Sequence, residues 1–276
     1  LEVHNPVSIK DLDPNTPTRK RLAYDELLAN QLAISLMRFH MHRTQGRGIK
    51  GDKSLQKKVL AIIPFELTSS QLKSGEEIAT DMASKTRMLR LLQGDVGSGK
   101  TIVALLAMLG AIEAGTQSVI MAPTEILARQ HFATLEPIAQ SIGLRLQLLT
   151  GRDKGKKRHA ILENLKNGEI QLAVGTHALF QDDVIFNDLG MAVIDEQHRF
   201  GVHQRLSLTS KGQSVNILVM TATPIPRTLM LSAYGDMDIS RLSGKPAGRK
   251  QIITTKLNLN KIDEAIKGLK RQIENG

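Results

Sequence analysis

A glycine-rich octapeptide between an apolar stretch and a helical stretch constrains the fold more than any other feature of the sequence. It comprises eight consecutive residues that match the pattern G-x-x-x-x-G-K-[ST]: Gly94, Asp95, Val96, Gly97, Ser98, Gly99, Lys100 and Thr101. The apolar run before it predicts a buried strand, and the apolar run after it predicts a helix. Glycines let successive backbone N–H groups curl around phosphate oxygens, and a helix N-terminus adds a positive dipole. The octapeptide, called the phosphate loop below, therefore predicts a nucleoside triphosphate site in an α/β domain.

Two side chains of the phosphate loop have predicted chemical roles. The Lys100 ammonium group is expected to reach the β- and γ-phosphates of the nucleotide. The Thr101 hydroxyl is expected to ligate magnesium, so the loop predicts Mg²⁺ beside the nucleotide.

An apolar strand that ends in two carboxylates supplies the acidic motif that such a loop requires. Asp195 is expected to hold magnesium through a water. Glu196 is expected to orient and deprotonate the water that attacks the γ-phosphate. An Asp-Glu pair alone is more often a solvated turn, but the phosphate loop favours the catalytic interpretation. The sequence therefore predicts Lys100, Asp195 and Glu196 as catalytic residues.

Apolar runs alternate with amphipathic stretches after residue 64, which indicates repeated βα units and a parallel sheet between helices. The predicted strands are Met88–Gln93, Ser118–Ala122, Arg145–Leu149, Gln171–Val174, Met191–Asp195, Asn216–Thr221 and Gln251–Thr255. The predicted helices are Thr18–Gln45, Ser54–Ile63, Gln71–Ala83, Lys100–Glu113, Glu125–Ser141, Lys156–Lys166, Arg227–Ala233 and a last helix from about Asn260.

Glycines and changes of periodicity divide the chain into three predicted segments. They are a helical linker at residues 1–63, the nucleotide-binding domain at 64–243, and a connector with a short strand and a final helix at 244–276. The apolar stripe of the first helix is expected to pack against the domain that follows it.

The charge balance favours a polyanionic partner. The chain carries 37 Lys and Arg against 27 Asp and Glu, a formal net charge of +10. Aromatic residues make up only 3% and Trp is absent, which argues against base stacking on an aromatic platform. Contacts with backbone phosphates would then dominate any binding of nucleic acid.

Cysteine content and hydropathy predict a cytoplasmic protein. The chain has no cysteine, so it forms no disulfide and no thiolate metal site. Its longest apolar runs, such as Ile102–Ile112, are shorter than a membrane span.

The order of four motifs resembles that of the superfamily 2 helicases. After the phosphate loop come Ala122-Pro123-Thr124, the tetrapeptide Asp195–His198, and Thr221-Ala222-Thr223. The resemblance implies a RecA-like domain with ATP as its cofactor. It also implies that the last segment couples ATP turnover to movement, and the expected coupling residues are Gln197, His198, Thr221 and Thr223.

A segment upstream of the phosphate loop resembles the adenine-recognition segment of the same family. A glutamine amide presents a donor and an acceptor side by side, which suits the N6 and N7 edge of adenine. Gln71 is expected to make these bonds, and the ring of Phe65 is expected to pack nearby. On its own, Gln71 would be an ordinary surface residue at the start of a helix.

Two longer stretches resemble a bacterial branch of the family that remodels replication forks and other branched DNA. They are Asp195–Val202 and Thr221–Leu229. The resemblance implies a monomer that acts on forked or branched DNA without sequence preference. Transcription-repair coupling factors share several of these features but typically carry Glu-Gln where Gln197-His198 stands. The same residues are also compatible with a P-loop ATPase that acts on a substrate other than nucleic acid, and with a non-catalytic scaffold.

The family's DNA contacts come from loops at strand ends. The residues of this chain at the corresponding positions, which the resemblance implies as DNA contacts, are Pro123, Thr124, Arg129, Gly175, Thr176 and His177. Amides and hydroxyls at helix N-termini bind phosphates without reading sequence, which a translocating motor requires. The alternative is that Thr124 and Thr176 only cap the helices that follow them.

Members of this family bind ATP between two RecA-like domains, and the fork-remodelling branch also carries an N-terminal wedge domain. The resemblance implies that residues 1–276 hold only the first RecA-like domain and that the partner domains belong to the same parent chain. On this interpretation the 276 residues alone are expected to bind nucleotide weakly and to hydrolyse it slowly.

Overall fold

A computed structural model describes residues 8–9, 13–43, 46–195, 211–212, 214–223, 237–243 and 256–274. The predicted helix Arg227–Ala233 and strand Gln251–Thr255 lie outside these residues. The chain divides into two compact units, Leu1–Gly244 and Lys245–Gly276.

The described helices and strands follow the predicted βα order. The helices are α1 (Pro17–Arg43), α2 (Ser54–Ile62), α3 (Ser69–Ala83), α4 (Lys100–Glu113), α5 (Glu125–Ser141), α6 (Gly155–Lys166) and α7 (Ile262–Glu274). The strands are β1 (Leu89–Gly94), β2 (Gln117–Met121), β3 (Leu146–Leu149), β4 (Leu172–Gly175), β5 (Leu189–Asp195), β6 (Asn216–Thr221) and β7 (Asp238–Leu242). Short 3₁₀ helices cover His177–Phe180 and Leu259–Lys261.

The strands of the described residues form a seven-stranded sheet in the order β3-β4-β2-β5-β6-β1-β7. All six pairings are parallel, which confirms the predicted α/β class with a parallel sheet between helices. The sequence did not predict β7. Among the described strands, β7 pairs with β1 alone, and its Asp238, Ser240 and Arg241 interrupt the apolar run by which a buried strand is recognised.

Alternate strand residues pack on opposite faces of the sheet, as the two-residue period of a strand requires. On one face, Val193 joins a core cluster with Met108 of α4 and Leu135 of α5. On the other face, Ile194 joins a second cluster with Leu165 of α6. The strands are therefore apolar on both sides, which is why their sequences read as almost continuous apolar runs.

The segment before α3 is partly built into the same core. Ile49 and Val59 are buried in the cluster that contains α4. The carboxylate of Glu113 accepts hydrogen bonds from the amides of Lys53 and Leu55, at 2.8 and 2.7 Å, and so holds the start of α2. The domain division at residues 63 and 64 stays a prediction.

Helix α1 differs from what its sequence predicts. The side chains of Leu28, Leu32 and Leu36, which form much of its apolar stripe, are exposed, so the expected packing of the stripe is not observed in the described part of the chain. Within that same part, no helix is long and apolar enough to cross a membrane.

Candidate nucleotide site and nucleic-acid surface

Three adjacent strands bring the predicted nucleotide residues to one edge of the sheet. The carboxyl ends of β5, β6 and β1 lie side by side, with Asp195 opposite Met220 and Thr221 opposite Gln93. Gly94 is the last residue of β1 and begins the phosphate loop. Residues separated by 100 positions or more in sequence are thus neighbours at this edge.

Two glycines give the phosphate loop its shape. Gly97 and Gly99 have φ values of 74° and 84°, in the left-handed region that side chains disfavour. Helix α4 begins directly afterwards at Lys100 and has no acidic residue in its first turn. Gly99 provides no side chain to cap the first amides of α4, so these amides are placed to bind an anion.

The Lys100 side chain folds back over the loop. Its Nζ donates hydrogen bonds to the carbonyl oxygens of Gly94 at 2.6 Å and Asp95 at 3.0 Å. An ammonium group held at this point lies across the loop whose amides would bind phosphate. Binding of a nucleotide would exchange these carbonyl contacts for phosphate oxygens, which carry more charge.

The residues around the loop fit a magnesium nucleotide. The hydroxyl of Ser98 is buried and has no hydrogen-bond partner among the described residues, which is unusual for a buried polar group. A Cβ at Gly94 would stand 2.5 Å from this hydroxyl, so only glycine fits there. No cluster of three or more His, Asp or Glu in the described residues could hold a metal alone. A Mg²⁺ ion bound with a nucleotide does not need such a cluster, because phosphates and waters supply most of its ligands.

Gln71 fastens α3 to the phosphate loop. Its Oε1 accepts the Thr68 amide at 2.8 Å and its backbone N–H donates to the Thr68 hydroxyl at 3.2 Å, which completes a capping box. Its Nε2 donates to the Ser98 carbonyl at 2.8 Å. Gln71 is therefore 3% exposed rather than a surface residue. Phe65 is 48% exposed, and the recognition of adenine by Gln71 and Phe65 stays a prediction.

Asp195 has a partner that was not predicted from the sequence. His131 Nε2 lies 2.7 Å from Asp195 Oδ2, and both side chains are 12% exposed. The signal was present in the sequence, because His131 follows Ala128 by three residues and precedes Leu135 by four. Ala128 and Leu135 are both buried, and this spacing places His131 on the same, buried side of α5.

The predicted coupling residues are placed only in part. The hydroxyl of Thr221 accepts the amide of Thr223 at 3.2 Å. The Gln93 side chain donates to the Thr223 carbonyl at 3.4 Å, so β1 contacts the segment that follows β6. Glu196, Gln197 and His198 lie outside the described residues.

The predicted DNA contacts gather at the ends of β2 and β4, on the same edge of the sheet. Met121 is opposite Gly175, and the Ala122 amide donates to the Gly175 carbonyl at 2.9 Å. Pro123 and Thr124 follow β2, and the Thr124 hydroxyl accepts the Leu127 amide at 3.3 Å. The capping interpretation of Thr124 is therefore correct, and it leaves phosphate contact as a separate prediction.

The segment after β4 differs from the one after β2. Thr176 makes no side-chain cap, so the capping interpretation is wrong at this position. Thr176 is buried at 5% exposure, whereas His177 is exposed. A four-residue 3₁₀ helix follows, too short to have produced a helical period in the sequence.

Carboxylates hold the basic side chains near the ends of β2 and β3. Glu125 pairs with Arg129 at 2.7 Å and with Arg152 at 3.0 Å. Asp153 pairs with Lys157 at 2.8 Å. Burial raises the pKa of the Asp153 carboxyl, but the hydrogen bond and charge of Lys157 and the bonds from Thr150 outweigh it and lower the pKa overall.

Comparison with known proteins identifies the class. The sequence profile of the DEAD/DEAH box helicase family matches residues 68–231, more than half of the chain. The chain therefore belongs to the DEAD/DEAH box helicase family. A DEAD-box helicase, Mss116 bound to ssRNA and UDP-BeF, shares the fold at a TM-score of 0.58 with 19% identity over 83% of this chain and 51% of the other.

Several relatives of higher sequence identity are RecG proteins. The chain is 47% identical to the ATP-dependent DNA helicase RecG of Streptococcus pneumoniae over 93% of its own length, and 44% identical to that of Pasteurella multocida over 96%. It covers 38% and 39% of those two proteins. A structure of RecG bound to a three-way DNA junction matches with a TM-score of 0.81 and 39% identity over 98% of this chain and 36% of that one.

Proposed function

We propose that the chain is the ATP-binding RecA-like half of an ATP-dependent DNA helicase motor that acts on branched DNA. One observation carries this proposal. Parallel pairing of β5, β6 and β1 sets Asp195, Thr221 and the phosphate loop on adjacent strand ends. The family match and the RecG relatives support the same assignment.

In the proposed site, the chain binds the nucleotide through backbone groups first. The amides around Gly97 and Gly99 and those of the first turn of α4 would surround the β-phosphate. Lys100 would leave the carbonyls of Gly94 and Asp95 for phosphate oxygens. Gln71 would keep the loop in place through the Ser98 carbonyl.

Thr101 and Asp195 would hold Mg²⁺, and Glu196 would place and deprotonate the attacking water. Bound magnesium neutralises charge on the β- and γ-phosphates. Thr221 and Thr223, with Gln197 and His198, would couple the loss of the γ-phosphate on hydrolysis to movement of the rest of the motor. The hydrogen bond from the Gln93 side chain to the Thr223 carbonyl connects β1 to the segment that follows β6.

DNA would lie at the ends of β2 and β4 and be held without sequence preference. The net charge of +10 supports a phosphate-dominated contact, and the low aromatic content gives no support to base stacking. RecG bound to a three-way junction supports branched DNA as the substrate class. The absence of cysteine supports a cytoplasmic location, and we propose a monomer.

Efficient turnover is proposed to need a second RecA-like domain, and fork splitting a wedge domain, in the parent chain. The 276 residues span 38–40% of the first RecG relatives, which leaves room for both in those proteins. An arginine supplied across the nucleotide stabilises the transition state by about 10³- to 10⁵-fold in related phosphoryl-transfer enzymes. The 276 residues alone are therefore expected to turn over ATP slowly.

ATP hydrolysis on forked, duplex and single-stranded DNA tests the proposal. The 276 residues would be compared with a chain extended through a second RecA-like domain. DNA-stimulated hydrolysis that is largest on forked DNA, and seen only in the extended chain, is the expected result. Extended-chain hydrolysis that DNA leaves unchanged would exclude a DNA motor. Full helicase-like turnover by the 276 residues alone would exclude the half-motor assignment.

A further inference from the structure

The contact between α5 and the end of β5 pairs two polar side chains that are both largely shielded from solvent. His131 lies on α5 among core-facing residues, and Asp195 ends β5. The two side chains are 12% exposed, and His131 Nε2 stands 2.7 Å from Asp195 Oδ2. Burying two polar groups costs free energy unless they bond to each other, so their geometry is fixed by this contact.

The chemistry of the contact assigns the donor. A carboxylate accepts hydrogen bonds and cannot donate them, so the imidazole carries its hydrogen on Nε2. One oxygen of Asp195 is thereby held by α5, and Oδ1 is the oxygen left to face another ligand. A carboxylate free to rotate would present either oxygen, and the hydrogen bond removes that choice.

We propose that His131 is a positioning residue for the magnesium-binding carboxylate of Asp195. The inference rests on the proposed function, since it concerns the same site. Side chains that hold a metal-binding carboxylate by hydrogen bonding typically change metal affinity or activity by about 10- to 100-fold when they are removed. His131 would act through Asp195 and would touch neither nucleotide nor metal.

A purely structural role is the competing explanation, since a histidine on a helix face can simply fill the core. The two roles differ in what they change. A structural histidine would alter stability and would lower nucleotide affinity equally with and without Mg²⁺. A positioning histidine would lower only the part of the affinity that depends on Mg²⁺, and its effect would vanish when Asp195 is absent.

Two substitutions separate packing from hydrogen bonding. His131→Leu fills the space without a donor, whereas His131→Gln places an amide donor near the position of Nε2. His159→Leu is the matched control, because His159 is an exposed histidine on α6. The measurement is the dissociation constant of a fluorescent ATP analogue on the 276-residue chain, in excess Mg²⁺ and in EDTA, together with thermal unfolding.

We expect His131→Leu to lose about 10- to 100-fold of the Mg²⁺-dependent gain in affinity and to keep its affinity in EDTA. His131→Gln should retain most of the gain, and His159→Leu should match the unsubstituted chain. In the Asp195→Ala background, adding His131→Leu should change nothing further. If His131→Leu does not fold, His131→Asn replaces it, because its amide is one methylene shorter and should lose the gain that Gln retains.

Three results would overturn the inference. They are an undiminished Mg²⁺-dependent gain in His131→Leu, an equal loss in His131→Gln and His131→Leu, and an equal loss of affinity in Mg²⁺ and in EDTA. An unsubstituted chain whose ATP affinity is the same with and without Mg²⁺ would instead contradict the proposed function, and the inference with it.

Discussion

The two halves of the sheet's carboxyl edge are built differently. At the ends of β1, β5 and β6, the functional groups are bonded into the domain: Gln71 to the phosphate loop, and His131 to Asp195. In α5, which follows β2, Arg129 is instead 56% exposed and pairs with the partly buried carboxylate of Glu125. Every nucleoside triphosphate presents the same series of charged phosphate groups, so a preformed site suits it. The proposed movement along a DNA backbone instead needs phosphate contacts that can be remade. The first half should therefore respond strongly to single substitutions, and the second weakly.

Lys100→Ala should produce the largest effect. It removes the cation that is expected to exchange its two carbonyl contacts for charge-assisted hydrogen bonds to phosphate oxygens. Charged hydrogen bonds contribute about 1.5–3 kcal/mol each, so ATP affinity should fall by roughly 100-fold or more. Titration with a fluorescent ATP analogue measures it, with Lys166→Ala at the end of α6 as the control. Normal ATP binding by Lys100→Ala would remove the phosphate-loop assignment.

Gly99→Ala should destabilise the fold more than an equivalent glycine substitution elsewhere. Alanine in the left-handed region costs about 1–2 kcal/mol, and its Cβ at residue 99 would overlap Gln71 Nε2. Displacing that buried amide costs about 1–3 kcal/mol more. Gly115→Ala is the matched control, since its φ is 82° and nothing lies within 4 Å of the added Cβ. Denaturant unfolding measures both, and equal losses would show that the Gln71 contact contributes nothing.

Gln71→Ala tests whether the same amide also reads adenine. The substitution leaves the Ser98 carbonyl without its donor and breaks the capping box, so unfolding free energy should fall by about 1–3 kcal/mol. If the amide also recognises adenine, the preference for ATP over GTP should fall as well. Competition binding with the two nucleotides measures the preference, with Gln140→Ala as an exposed control on α5. A stability loss with unchanged preference would restrict Gln71 to a structural role.

Substitutions near the ends of β2 and β4, where DNA is proposed to bind, should change DNA affinity only slightly. Removing the carboxylate and removing the arginine should act in opposite directions. Glu125→Gln would release Arg129 and Arg152 from their carboxylate and should raise DNA affinity by a few fold. Arg129→Ala should lower DNA affinity and reduce the slope of log affinity against log salt by about one. DNA binding measured over a range of salt concentrations gives both quantities. Equal salt slopes in the two variants would exclude Arg129 as a phosphate contact.

The phosphate loop and most of the strands were predictable from the sequence, because each is marked by a local pattern of residues. The phosphate loop is continuous, and the strands buried on both faces read as apolar runs. Strand β7, which is at the edge of the sheet formed by the described residues, was not predicted because its polar residues interrupt the apolar pattern. Short 3₁₀ helices such as His177–Phe180 leave no period to detect.

The contacts that fix the site were less predictable, because they join residues far apart in the chain. Gln71 reaches Ser98 across 27 positions, and His131 reaches Asp195 across 64. Neither contact could be predicted from sequence spacing, because only the fold determines which helix face packs against which strand end. Sequence identifies the chemical groups at the site, and the three-dimensional structure identifies what holds them.

The most direct test is an experimental structure of the chain with Mg²⁺ and a non-hydrolysable ATP analogue. We predict the phosphates against the amides of Gly97–Thr101, Lys100 withdrawn from the carbonyls of Gly94 and Asp95, and the metal between Thr101 and Asp195. A nucleotide bound elsewhere, or phosphates that leave Lys100 on those carbonyls, would contradict the central claim that this half of the edge is a preformed nucleotide site.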